Sequence, residues 1–159
     1  MKWLTLAAEQ GFAPSQSGLG YMYEKGLGVE QNYFEAVKWY TLAADQGLAR
    51  GQYNLGYMYE NGLGILKDKK VALELYKKAA EQGHANSHLN IGMMYLRGDK
   101  IIGAKNNIIA FMRFSIAAPL GSKEALNNMS YLFTVMTPSQ IQESQKLARE
   151  CVKQNYKGC

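Results

Sequence analysis

His84 and His88 sit four residues apart and would share one face of a helix. That spacing could seat a metal ion. A catalytic zinc needs a third protein ligand, and no carboxylate motif neighbours the pair. We therefore read His84 as a helix-start residue and expect no metal and no cofactor. Ser15, Ser17, Ser87 and Ser130 are candidate nucleophiles by type only. None lies in a nucleophile elbow or beside an identifiable base. Glu24 and Glu60 are 36 residues apart, so the sequence does not pair them as an acid and a base. They read as loop or capping carboxylates. Gly26-Leu27-Gly28 and Gly62-Leu63-Gly64 have the look of phosphate-binding turns. A phosphate loop follows a strand and leads straight into a helix. Here helical patterns precede the glycines, and four or more residues follow before the next one. These segments read as turns between helices, and the chain is expected not to be an enzyme.

Cys151 and Cys159 are eight residues apart. Inside one helix their Cα atoms would be about 12 Å apart. A disulfide needs roughly 4.4–6.8 Å. A bond requires that the helix end between them and the tail fold back, which Asn155 and Gly158 permit. The residues alone leave a disulfide and two free thiols both open.

Composition narrows the classes. The 159 residues suit one domain, and 47% are hydrophobic, enough to build a core. Two cysteines are too few for a disulfide framework or a four-ligand zinc site. No run approaches the ~18 apolar residues of a membrane-spanning helix. After Met1-Lys2 the chain reads WLTLAAEQG, too short and too soon acidic for a secretory hydrophobic segment. The formal charge is +5. Residues 1–80 hold nine basic and eight acidic side chains, and residues 81–159 hold nine and five. The densest basic run, Lys67-Asp68-Lys69-Lys70, lacks stacking aromatics on one face, so nucleic acid is not expected as a partner.

The elements that carry these residues repeat. Gly11, Gly47 and Gly83 are spaced by 36, and Gly121 follows by 38. Gly20, Gly56 and Gly92 keep the 36-residue register, as do Tyr23, Tyr59 and Tyr95. Ala43-Ala44, Ala79-Ala80 and Ala117-Ala118 precede the repeat-ending glycines. The register gives a partial repeat over 1–11, full repeats over 12–47, 48–83 and 84–121, and a degenerate copy over 122–159. Each unit reads as two helices. In the first copy one helix is predicted over 15–25, with Leu19, Met22 and Tyr23 at helical spacing. Asn32 caps a second over 33–46, and Gly47 closes it. Asp68 and Asn106 take the place of Asn32 in later copies. Thr137-Pro138-Ser139-Gln140 reads as a last helix start, before a polar helix that suits a terminal cap. Residues 2–10 match only a second helix, so the chain is expected to be a fragment of a longer protein.

LGYMYEKGLGV (19–29), EAVKWYTLAADQG (35–47), LGYMYENGLGI (55–65) and VALELYKKAAEQG (71–83) resemble Sel1-like repeats, relatives of tetratricopeptide repeats. The third copy departs at Gly98-Asp99-Lys100-Ile101-Ile102-Gly103, which carries two extra residues, and at Arg113, which stands where Trp39 and Leu75 stand. The resemblance implies an all-α, right-handed superhelical solenoid that binds one or more proteins on its concave face. By analogy with tetratricopeptide packing, that face takes Tyr21 and Lys25, then Arg50, Tyr53, Tyr57 and Asn61. It continues through Leu89, Met93, Leu96 and Arg97 to Asn127 and Tyr131. The cysteine spacing resembles that of exported bacterial Sel1-like proteins, which implies a Cys151–Cys159 disulfide and a bacterial periplasmic home, with the cytoplasm as the alternative. Small exported relatives resemble immunity proteins that neutralise secreted phospholipase effectors of the type VI secretion system. Regulation of cell-envelope enzymes or peptidoglycan assembly is the alternative function.

Overall fold

Three short polar side chains start the second helices. Asn32 Oδ1 accepts from the amides of Phe34 and Glu35 at 3.0 and 3.1 Å. Asp68 Oδ1 accepts from Lys70 and Val71 at 2.9 and 3.1 Å. Asn106 Oδ1 accepts from Ile109 at 3.0 Å. Each satisfies first-turn amides that have no partner inside the helix. They open α3 (Tyr33–Asp45), α5 (Lys69–Ala80) and α7 (Asn107–Ala117). The first helices are α2 (Ala13–Lys25), α4 (Ala49–Asn61) and α6 (Ala85–Arg97), and α1 (Lys2–Glu9) precedes them. α2 begins two residues earlier than predicted because Pro14 fits its first turn. Ser122 caps α8 (Lys123–Val135). Thr137 and Gln140 form a reciprocal capping box that opens α9 (Pro138–Lys153).

The computed structural model describes residues 2–98 and 103–159. Of the segment Gly98–Gly103, where two extra residues are expected, Asp99, Lys100, Ile101 and Ile102 lie outside that range. Among the described residues every regular element is a helix, as the all-α reading expected. The helices group into two compact units, Met1–Leu75 and Tyr76–Cys159, with the boundary inside α5.

In the first unit α3 packs against both α2 and α4. Ala36, Tyr40, Ala44, Leu55 and Met58 form its centre, with Tyr23, Tyr33 and Tyr59 against them. Small residues set the helix spacing. A Cβ on Gly51 would lie 2.7 Å from Ala43 Cβ and 2.9 Å from the α3 backbone at Ala43 and Ala44. A Cβ on Gly20 would meet the Tyr40 ring at 2.6 Å.

In the second unit α7 is buried nearly all round, which fits its run of Ile, Ala, Phe and Met. α6, α8 and α9 all pack on it. Phe111, Phe114 and Leu132 form one core with Leu89. Met112 and Ile116 form another with Ala148 and Cys151 of α9. Ser144, Ala148 and Cys151 are the buried stripe of α9, at i, i+4 and i+7.

Candidate functional site

The exposed side of the first unit's first helices carries aromatic and cationic groups together. Tyr21 on α2 is 43% exposed and Tyr57 on α4 is 37% exposed. The Lys25 ammonium lies 5.9 Å from the centre of the Tyr21 ring. It also binds Glu24 at 2.6 Å. That bond raises the Lys25 pKa, against a smaller opposing effect of burial, and Tyr57 lies close enough to act on the same charge. Arg50 and Asn61 are exposed, and Tyr53 is half-buried. Asn61 donates back to the Tyr57 carbonyl at 2.9 Å. The six residues expected on α2 and α4 thus lie wholly or partly at the surface.

Beneath them, Glu24 is no loop or capping carboxylate. It is buried, and Tyr40 donates to it at 2.6 Å. Burial first and this bond second push the Tyr40 phenol well above its ordinary pKa. A carboxylate on the core side of α2 satisfies a tyrosine hydroxyl that would otherwise be stranded. It also anchors Lys25 at the surface.

The second unit departs from expectation on α6. Leu89 is buried in the core with Phe111 and Phe114, so it is not a surface residue. Met93 and Leu96 are half-buried against the same core. The cause is the covering of α6 by α7: an apolar side chain there gains more from Phe111 and Phe114 than from solvent. Of the α6 group only Arg97 is exposed. On α8 Asn127 is exposed and Tyr131 is 51% exposed.

One cluster in this unit was not foreseen. His88 and Arg113 are both buried. His88 Nε2 faces the Ala80 carbonyl at 3.1 Å, and its Nδ1 faces Arg113 Nη1 at 3.3 Å. A carbonyl only accepts and a guanidinium only donates. The ring is therefore neutral, with its hydrogen on Nε2. Burial first, then the Arg113 charge, lowers the His88 pKa to about 4. His84 bonds Ser87 Oγ at 3.0 Å instead, so the two imidazoles do not converge. Arg113 Nη2 donates to the Cys159 carbonyl. Cys151 and Cys159 are joined by a disulfide, with Cα atoms 5.6 Å apart. Asn155 and Tyr156 turn the chain at positive φ (51° and 65°) and bring the tail back. The Tyr156 ring then packs 5.5 Å from the His88 ring.

Helical pairs with this register point to one family. A model of the Sel1 repeat matches residues 1–12, 13–48, 49–84 and 85–121. The chain belongs to the Sel1 repeat family. A Sel1 repeat protein from Oxalobacter formigenes is 32% identical, with a TM-score of 0.72 over 92% of this chain and 67% of that one. A protective antigen present in uropathogenic Escherichia coli strains, which displays the same fold, is 24% identical. Its TM-score is 0.62 over 98% of this chain and 42% of that one, a likeness of fold alone. A search among curated proteins finds no match.

Sel1 repeat proteins are generally non-catalytic scaffolds for protein–protein interaction. In this Sel1 chain Tyr21 and Tyr57 are exposed on the first helices α2 and α4, and Tyr131 on α8. The His88–Arg113–Cys159 cluster was hidden because its parts are 25 and 46 residues apart. Its one sequence signal was Arg113, a cation where the other copies carry Trp39 and Leu75.

Proposed function

We propose that this chain binds a protein partner, without catalysis, through the first-helix surfaces of its repeats. The observation that carries the reading is the exposure of Tyr21 and Tyr57 with the Lys25 ammonium close to both. Tyrosine and arginine are enriched among residues that dominate binding energy, because a flat amphipathic ring or a guanidinium gains much when covered. The Cys151–Cys159 disulfide supports an oxidising compartment, and the bacterial periplasm is the simplest one. The narrower reading places there an immunity protein for a secreted type VI phospholipase effector, and rests on the likeness to small exported relatives.

The test uses the partner recovered by cross-linking in the native host. Tyr21→Ala with Tyr57→Ala should weaken its binding at least about a hundredfold, since two covered hot-spot residues contribute about 2 kcal/mol or more each. Circular dichroism should not change, because both rings are exposed. Lys70→Ala with Lys78→Ala, at exposed positions of α5, should bind as the parent does. Equal binding by the tyrosine double variant rejects this surface. Two free thiols in protein isolated from the host reject the compartment.

A further inference from the structure

Between α8 and α9, with α7 as its floor, runs an apolar groove of about 520 Å³. Its α9 wall is Gln145, Ala148, Arg149, Val152 and Lys153. These stand at i, i+3, i+4, i+7 and i+8, one continuous stripe two turns long. Ile116 forms the floor and Met129 stands on the α8 wall. Three residues before Met129 and four after it, Leu126 and Phe133 are 53% and 50% exposed. Val152 is 46% exposed. Apolar side chains concentrated in this way mark an interaction surface more often than scattered ones do.

Two observations identify the occupant. The groove is open to solvent on one side. Small-molecule sites bury most of their ligand's surface, so an open trough suits a helix laid along it better than a small amphiphile. Its rim is cationic: Arg149 and Lys153 line it and make no ion pair among the described residues, and residues 81–159 hold nine basic side chains against five acidic.

We propose that this groove docks one helix of a protein partner, with apolar residues along one face and carboxylates flanking them. The proposal rests on the protein-binding reading but not on the first-helix surfaces. The α9 stripe supplies the apolar wall, and Arg149 and Lys153 select an acidic segment over a basic one.

The test selects against the full chain, disulfide intact, from a displayed library of 20-residue helices. The library keeps leucine at i, i+4 and i+7 and varies the flanks among Glu, Lys and Gln. Enriched helices should carry acidic flanks, and the best should shift the Met129 methyl resonance. Val152→Glu should weaken it at least tenfold, as should Arg149→Glu with Lys153→Glu. The charge-matched control Lys67→Glu with Lys70→Glu should stay within twofold. Enrichment of neutral or basic flanks overturns the proposal, as does the absence of any helix that these groove variants weaken. So does a Met129 shift given by laurate when no helix gives one, which would make the groove a fatty-acid site. Self-association lost in Val152→Glu, with no helix bound, would assign the groove to a second copy of the chain. Failure of Tyr21→Ala with Tyr57→Ala to affect the cross-linked partner leaves all these readouts unchanged, so the two readings fail separately.

Discussion

The folded chain holds His88 neutral, so at low pH folding must strip the proton that the unfolded histidine binds, which makes His88 a source of pH dependence. An exposed histidine titrates near pH 6.5. In the folded chain burial, and then Arg113, hold His88 near 4. A group with a depressed folded pKa adds stability that is fully present above its unfolded value. That stability is lost as pH falls through the folded one. The window is therefore about pH 6.5 down to 4, and the shift corresponds to about 3 kcal/mol. Denaturant unfolding at pH 7.5 and pH 4.5 should show most of this loss in the parent. His88→Gln should show little of it. Arg113→Met should raise the His88 pKa, read from its C2–H resonance, because the guanidinium is the second cause of the depression. The value should stay below 6.5, since burial remains the larger cause. A rise to 6.5 or above would mean that Arg113, not burial, sets the ring's charge.

Helix pairing in the first unit depends on two close approaches that only small residues allow. An added Cβ on Gly51 would collide with the backbone of α3, which cannot swing aside. On Gly20 it would collide with the Tyr40 ring, which is fully buried and bonded to Glu24. Gly51→Ala and Gly20→Val should each lower stability by about 1–3 kcal/mol or more through overpacking. Thermal unfolding followed by circular dichroism reads this, and an unchanged midpoint would mean that the helices part at no cost. Gly20 was legible in the sequence, because Gly20, Gly56 and Gly92 repeat with the register; Gly51 was not, because Ser15 and Ser87 hold its place in the neighbouring copies. The caps Asn32, Asp68, Asn106 and Thr137 were legible for a different reason: each acts within three residues of itself. Burial on α6 was not. A stripe such as Leu89, Met93 and Leu96 marks one helix face, but it does not say whether that face meets solvent or Phe111 and Phe114. Glu24 was misread for the same reason, since its partner Tyr40 lies 16 residues away on α3.

The second unit closes on its own tail, and no repeat register carries that closure. α9 packs on α7 through Ala148 and Cys151, and beyond it the chain turns back at Asn155 and Tyr156. The tail then delivers the Cys159 carbonyl to Arg113 and the Tyr156 ring to His88. The disulfide makes this return permanent by closing a nine-residue loop. In the chain-entropy account such a loop restricts the unfolded chain by about 2.5 kcal/mol. Reduction removes that restriction and also frees the tail to leave Arg113, a buried guanidinium then short of an acceptor. The disulfide lies wholly inside residues 76–159, so its loss should be felt there. Amide exchange measured with and without reductant should speed up along α7 and α9 and stay unchanged along α2 and α3. Cys151→Ala with Cys159→Ala should reproduce the reduced pattern. The His88 C2–H resonance should move with it, because both Tyr156 and the partner of Arg113 depart together. Equal acceleration in α2 and α3 would show that the two units unfold as one. No acceleration anywhere would show that Arg113 and Tyr156 hold the tail without the covalent bond.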